Sequence, residues 1–478
     1  MSKLLRRKAI ETGDAQPAEH RLARTLSWPH LVALGVGAIV GTGILTLIGV
    51  GADRAGPAVL LSFVVAGAIC ACAALCYAEM ATMIPASGSA YTYSYSVLGE
   101  VFAWVVGWSL ILEYSLVVST VAVGWSGYAV GFLKGLGVVL PDMLTHGPAV
   151  AGSLFDGSFH VTQSGVNLPA IVIIAIVAGL LMLGTRESAT VNALLVVLKI
   201  VTLALFVAVA LPHFDPANLH PFAPLGYGST PGEGGVKYGV MGAAAIIFFA
   251  FYGFDAISTA AEEAKNPERD LAIGIVGSMI ACTAIYMIVA AAAVGALHYT
   301  GFANSPEPLA LILREIGQPG IATVIAAAAA IALPTVLLAF LYGQTRIFMV
   351  MARDGFLPTG LAKISARGTP ARITALTALF VAFIAAVTPL DQIASLANAG
   401  TLCAFAAVAV SVLVMRSREP GRRRAFRTPL VWIVAPAAIL GCLYLFTSLQ
   451  WVTQKYFFVW NAIGLLIYLT YGQARSRA

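Results

Sequence analysis

The feature that most constrains this chain is a succession of apolar runs. Each is long enough to form a membrane-crossing helix, which needs about 18–20 predominantly apolar residues. Twelve such runs occur, at 28–52, 57–84, 98–134, 167–185, 188–212, 237–261, 271–298, 320–350, 373–389, 392–416, 429–450 and 453–472. Charged residues make up only 10% of the 478 positions and hydrophobic residues 59%, where a soluble domain carries roughly 25% charged residues. This excludes a soluble enzyme, and disorder would need low hydrophobicity with high charge. The pattern predicts an all-α polytopic membrane protein with twelve transmembrane helices.

The net charge of +6 does not indicate a nucleic-acid partner, because the basic residues cluster in alternate loops. Arg54, Lys134, Lys237, Arg314 and Lys455 fall on one side and Lys199 lies inside a span, while the rest of the 28 Lys and Arg residues fall on the other side. The positive-inside rule makes that richer side cytoplasmic, together with both termini. The expected organisation is a cytoplasmic tail at 1–26, a polytopic membrane domain at 27–472 and a cytoplasmic tail at 473–478. The tail at 1–26 lacks the apolar segment and cleavage site of a signal peptide and reads as solvated. The Arg422-Arg423-Arg424 run reads the same way, with anionic-lipid contact as the lesser reading. The loops 135–166 and 213–236 read as connectors. All six cysteines, at 70, 72, 76, 282, 403 and 442, sit in apolar runs and read as small core residues.

Transporters are often built as two inverted repeats whose first helices are broken near the midplane. Five spans per repeat puts spans one and six in corresponding positions. Span one carries Gly41-Thr42-Gly43 near its middle, a clear interruption; span six carries Phe251-Tyr252-Gly253-Phe254-Asp255, a weaker one. Glycine disfavours a helix interior by about 1 kcal/mol against Ala. Unwinding at Gly41–Gly43 would free N–H groups and a positive dipole end for a carboxylate. It would also free carbonyls around Ile39 for an ammonium. Gly37 and Gly41 equally fit a small-xxx-small packing face, and the glycines alone leave the two readings even.

Four of the charged residues within the spans are candidates for a role beyond topology. Asp255 follows the presumed break in span six, where an intramembrane carboxylate usually faces a cavity or partner. It reads as a proton carrier or as a hydrogen-bond anchor for the break, against a wet position near the span end. Lys199 sits mid-span in an otherwise uncharged stretch, too deep to snorkel easily. It reads as a fixed cation bridging two helices or as a proton-loading group. Glu113 in span three either lines a substrate pocket, where it would favour a cationic side chain, or pairs within the bundle. Glu79, near the inner end of span two, reads as an interfacial or gate-side carboxylate. The aromatic run 248–252, with Trp104 and Trp108, reads first as packing. The seven histidines lie in tails, loops or span ends without metal-ligand spacing. There is no P-loop, and so no sign of ATP drive.

Five motifs together carry a family resemblance. They are Gly35-Val36-Gly37-Ala38-Ile39-Val40-Gly41-Thr42-Gly43-Ile44, Phe249-Ala250-Phe251-Tyr252-Gly253-Phe254-Asp255, Glu262-Glu263-Ala264-Lys265-Asn266-Pro267, Tyr342-Gly343-Gln344-Thr345-Arg346 and Met351-Ala352-Arg353-Asp354-Gly355. Over 27–472 the chain resembles bacterial amino-acid permeases of the amino acid–polyamine–organocation (APC) superfamily, in the cationic amino acid transporter-like branch.

The resemblance implies a LeuT-type fold of 5+5 inverted repeats (about 27–212 and 237–416) and two extra helices (about 429–472). It implies alternating access in the cell membrane. The substrate carboxylate would meet Thr42, Gly43 and Ile44 beside Gly41. Its α-amino group would meet carbonyls at Ile39, Phe249, Ala250 and Tyr252, with Phe249 as an aromatic gate. Lys199 would replace a sodium site, and Asp255 would take part in proton coupling. Glu113 would stand near the substrate pocket, with Phe340 lining its side-chain end. The animal members of the branch have fourteen spans; twelve spans fit shorter relatives that take small neutral amino acids.

The expected function is proton-coupled amino-acid import, with no enzymatic activity, no cofactor and no need for sodium. A cationic amino-acid carrier or an exchanger is the rival within the class, and a non-transporting amino-acid sensor is the rival outside it. The expected partners are the amino-acid substrate and the lipid bilayer. An accessory membrane subunit and the oligomeric state are left open.

Overall fold

The computed structural model describes residues 6–8, 26–85, 88–151, 160–183, 189–232, 235–261, 264–362, 365 and 369–475. Of the residues singled out in the sequence, Lys3, Arg21, Arg24, Arg186, Glu262, Glu263, Lys363, Arg367 and Arg477 lie outside that set. The described chain is almost wholly helical, as it must be where no water can satisfy backbone groups. The helices are α1 (Trp28–Ile39), α2 (Thr42–Leu45), α3 (Leu47–Ala55), α4 (Val59–Met83), α5 (Ser89–Val97), α6 (Glu100–Gly135), α7 (Leu168–Leu183), α8 (Ala189–Ala210) and α9 (Val240–Ile247). They continue with α10 (Phe254–Thr259), α11 (Pro267–Ala296), α12 (Pro308–Glu315), α13 (Pro319–Ala332), α14 (Pro334–Arg353), α15 (Ala371–Val387), α16 (Leu390–Arg418), α17 (Val431–Ser448) and α18 (Trp451–Ile467). Two small antiparallel strand pairs occur: Ala149–Ala151 with His160–Gln163 in the expected connector 135–166, and Thr230–Pro231 with Lys237–Tyr238, where the connector 213–236 runs on past its expected end.

Among the described residues, eight helical stretches are long and apolar enough to cross a membrane. They are Leu47–Met83, Glu100–Gly135, Ala193–His213, Val240–Thr259, Pro267–Ala296, Pro319–Ala352, Leu390–Arg418 and Val431–Ser448. Three apolar helices are shorter: Trp28–Ile39, Leu168–Leu183 and Ala371–Val387. The difference from the runs read in the sequence has a local cause. The run 28–52 is interrupted after Ile39, so its first part stands as a short helix. Its second part continues through a 3-10 turn at Gly56–Ala58 into α4.

The middle of the bundle is built from α1, α4, α6, α11 and the helices that cross them. α1 packs against α11, α8 and α10; α6 packs against α16, α14, α13 and α15. α18 is stapled to α6 by indole rings. Trp108 donates to the Trp460 carbonyl at 2.8 Å and Trp460 returns the bond to the Trp108 carbonyl at 3.0 Å. Trp104 donates to the Gly464 carbonyl at 2.8 Å. These tryptophans are packing residues, as their positions in the sequence suggested. All six cysteines are free, and four of them are buried.

Two surface expectations need correction. Arg424 turns inward and is buried, so it does not join Arg422 and Arg423 as a solvated run. It meets Glu79 at 3.2 Å, and Arg416 grips the same carboxylate with two bonds of 2.8 and 2.9 Å. The Thr428 amide adds a bond of 2.8 Å. Glu79 is therefore a fully buried junction of α4, the end of α16 and the segment before α17, not an interfacial carboxylate. Lys8, still partly exposed, pairs with Asp354 at 2.9 Å. At the opposite end of the bundle, Arg54 of α3 reaches Asp391 of α16 at 3.3 Å.

Candidate functional site

The helix that begins at Trp28 stops at Ile39, because Val40 takes an extended conformation (φ −72°, ψ 101°). It restarts at Thr42 as α2. The first hydrogen-bonded amides there are Leu45 and Thr46, to the Gly41 and Thr42 carbonyls. The amides of Thr42, Gly43 and Ile44 precede them, in the turn where a helix leaves its donors without intrahelical partners. The Thr42 hydroxyl, also buried, has no hydrogen-bond partner. The interruption is thus real, and it presents donors.

The second interruption is sharper than one glycine in the sequence suggested. α9 passes into a 3-10 turn at Phe248–Phe251, Tyr252 is extended, and Gly253 has φ +112° before α10 begins. That conformation is disfavoured for residues with a side chain. Asp255 stabilises it by accepting the Gly253 amide at 3.2 Å.

The two interruptions cross each other. A Cβ on Gly43 would lie 2.2 Å from the Ala250 Cα, and one on Gly253 would lie 2.7 Å from the Ala38 carbonyl carbon. Unwinding is therefore present, and the close packing falls at Gly43 and Gly253; at Gly41, one of the two small-xxx-small positions, an added Cβ would meet nothing nearer than Val336 at 3.4 Å. The crossing is tied by Tyr286 of α11. Its hydroxyl lies 2.7 Å from the Ile39 carbonyl and 2.9 Å from the Ala250 carbonyl and donates across them. These two carbonyls were expected to receive a substrate ammonium. Each already faces this hydroxyl, although a carbonyl oxygen has a second lone pair.

Lys199 reaches the same region from α8. Its ammonium is buried and donates to the Gly37 carbonyl at 2.7 Å. Snorkelling is excluded by that burial. Asp255 is only 2% exposed, which excludes the wet reading. Its second oxygen lies 3.4 Å from the Tyr114 hydroxyl. Glu113, the residue before Tyr114, is 1% exposed, lies beside Thr401, and its Oε2 has no hydrogen-bond partner.

Phe249 stacks obliquely on Tyr252, with ring centres 4.9 Å apart. Tyr252 turns its hydroxyl to Asn398 of α16, and Asn398 donates to the Ala245 carbonyl at 2.6 Å. Phe340 is buried with its ring 5.2 Å from Tyr114. One turn earlier on α14, Val336 faces Gly41. Gln344, one turn later, donates to Ser115 and leaves its Oε1 without a partner.

Every residue singled out as a site candidate thus lies at or around the two interruptions. Tyr286, Tyr114, Asn398 and Gln344 were missed. Their signal was weak: single polar groups in apolar runs, with no spacing rule to join them. Among the described residues, no group of three or more His, Cys, Asp or Glu is placed to hold a metal ion.

Residues 26–472 match the family model described as amino acid permease. The chain is 44% identical over 476 residues to the branched-chain amino acid permease BcaP of Bacillus subtilis (strain 168), covering 99% of this chain and 98% of that protein. It is 40% identical over 479 residues to the methylthioribose transporter of the same organism, covering 100% and 99%. It is 37% identical over 422 residues to cationic amino acid transporter 2, vacuolar, of Arabidopsis thaliana, covering 87% of this chain and 64% of that protein. Such identity over nearly the whole chain, in a bundle of apolar helices crossing at two breaks, establishes that this multi-pass membrane protein belongs to the amino acid permease family and is an amino-acid transporter, not an enzyme.

Proposed function

We propose that the transporter imports neutral amino acids together with protons, by alternating access, and does not need sodium. The reading takes the chain as twelve spans in the cell membrane, with both termini cytoplasmic. Two five-span repeats, about 27–212 and 237–416, would be related by inversion, with two extra helices at about 429–472. In such a bundle the two crossing interruptions are the place where substrate is held.

The observation that carries the reading is the Lys199–Gly37 contact. A permanently placed ammonium bonded to the broken helix does what a bound cation would otherwise do: it holds α8 against α1 beside the site. The substrate carboxylate is assigned to the Thr42, Gly43 and Ile44 amides and the Thr42 hydroxyl, whose lack of a partner fits an anionic ligand. The α-amino group is assigned to the free lone pairs around Ile39, Phe249, Ala250 and Tyr252. Asp255 is assigned the coupled proton. Phe340, Val336 and Tyr114 make the side-chain end largely apolar. This agrees with similarity to a protein named as a branched-chain amino acid permease.

A second reading, a carrier of cationic amino acids, is favoured by one observation: the unpartnered, buried Glu113 Oε2. Uptake into proteoliposomes under an inward proton gradient, with and without sodium, tests both. Accumulation of alanine- or valine-like substrates that collapses with a protonophore and ignores sodium supports the first. Uptake of arginine and lysine alone supports the second. Uptake only against preloaded amino acid replaces symport with exchange, and binding without uptake replaces transport with sensing.

A further inference from the structure

We propose that the hydroxyls of Ser258, Tyr93 and Ser89 form a proton exit lane from Asp255 toward the face that carries residues 6–8. The inference rests on the reading of Asp255 as the proton carrier and goes beyond it by assigning the path.

Asp255 is 2% exposed, so a proton on its carboxyl reaches neither surface directly. The titratable groups facing it are Tyr114 and Glu113 of α6, Tyr77 and Cys70 of α4, Tyr93 of α5, and Tyr252. Tyr114 already contacts the Asp255 carboxylate, and Tyr252 is committed to Asn398. Tyr93 is different. Its side chain is fully buried beside Ser258 and Asp255, and its hydroxyl faces Ser258 without a partner in good hydrogen-bond geometry. Ser258 lies one turn after Asp255. Its hydroxyl donates to the Asp255 carbonyl at 2.5 Å and stands 2.9 Å from the Ser89 hydroxyl.

Tyr93 and Ser89 belong to α5, whose sequence Ser-Ala-Tyr-Thr-Tyr-Ser-Tyr-Ser-Val carries a hydroxyl at most positions. Every residue of this helix except Thr92 is buried. A polar helix inside a membrane bundle is unfavourable unless its hydroxyls have partners, and an orphaned buried hydroxyl calls for an explanation such as an ordered water. Ser94 leaves a second one. Two positions before Tyr93, Tyr91 donates to Asp354 at 2.7 Å, and Asp354 accepts Lys8 at 2.9 Å. α5 therefore carries hydroxyls on two sides, Ser89 and Tyr93 toward Ser258 and Tyr91 toward the Asp354–Lys8 ion pair. Phenol and alcohol groups both donate and accept, which a relay requires.

The step balances without a co-reactant. The Asp255 O–H bond breaks as a water held on the Tyr93 or Ser258 hydroxyl takes the proton and passes one of its own to that hydroxyl, because Ser258 bonds the Asp255 main-chain carbonyl and not its carboxyl. That hydroxyl gives up its own proton to the next oxygen, and the last proton passes to bulk water. Nothing is oxidised and no other group moves.

The test is the full-length protein in proteoliposomes, reading substrate-driven proton entry and substrate counterflow separately. Counterflow exchanges labelled for unlabelled substrate and needs no net proton release. Tyr93→Phe removes one hydroxyl and keeps the ring; Ser258→Ala removes the other. The expected result is proton entry reduced about 100-fold or more, the scale on which a positioned proton-transfer group acts, with counterflow unchanged. Unchanged proton entry in both variants overturns the lane. Counterflow that falls in parallel with proton entry also overturns it, because the hydroxyls are then structural. Wild-type protein that takes up substrate without proton entry refutes the coupling reading itself, which separates that failure from failure of the lane.

Discussion

Lys199 donates to the Gly37 carbonyl at 2.7 Å, one turn or less before the chain leaves the helix at Val40. The contact joins α8 to α1 where α1 has lost its own continuation. A hydrogen bond from a charged donor contributes about 1.5–3 kcal/mol. In a buried setting its loss also leaves a carbonyl without that partner.

Lys199→Met keeps the length of the side chain and removes the charge. Transport is expected to fall about tenfold or more, in line with that energy. Added sodium should not restore it, because methionine offers a cation no oxygen ligand. Uptake rates with and without sodium check this. Rates equal to wild type would remove Lys199 from the mechanism.

Tyr286→Phe isolates the hydroxyl that spans Ile39 and Ala250. The ring remains packed against Phe63 and Phe251. A neutral hydrogen bond is worth about 1 kcal/mol, so substrate affinity should weaken about fivefold with little loss of folded protein. Binding titration in detergent measures it. Unchanged affinity would make Tyr286 a packing residue only.

Glu79→Gln should act on stability before transport. The carboxylate answers Arg416, Arg424 and the Thr428 amide together. Removing one partner of a buried ion pair typically costs about 3–5 kcal/mol. The melting temperature of the purified protein should drop by several degrees, while uptake per folded molecule changes little. A melting curve superimposable on wild type would contradict the junction.

Asp391→Asn should loosen the end of the bundle opposite residues 6–8. Arg54 there is 3% exposed and faces Asp391, and its own carbonyl accepts the Gly239 amide at 2.7 Å. Losing the carboxylate leaves a buried guanidinium that gains by opening to water. A thiol probe at a cysteine introduced near residue 391 should react several-fold faster than in the wild-type background, an effect of about 1 kcal/mol. Equal rates would mean that the pair does not close this mouth.

Much of this architecture is legible in one dimension. Apolar runs mark helices because a membrane admits few other backbones, and Gly41 with Gly43 marks an interruption because glycine weakens a helix wherever it sits. Lys199, Asp255 and Glu113 stand out because charge is rare in such runs. The weaker signal at Gly253 understated its break, which depends on a carboxylate two residues away accepting its amide.

The remaining relationships have no sequence period to reveal them. Tyr286 meets Ile39 and Ala250 only because three separate helices cross at one point. Glu79 finds Arg424 across more than three hundred residues, and so the arginine that reads as solvated is buried. Local composition sets which segments are helices and where they weaken; which polar groups then meet depends on the angles and depths at which those helices cross, since a buried group takes whatever partner the packing brings within hydrogen-bond reach.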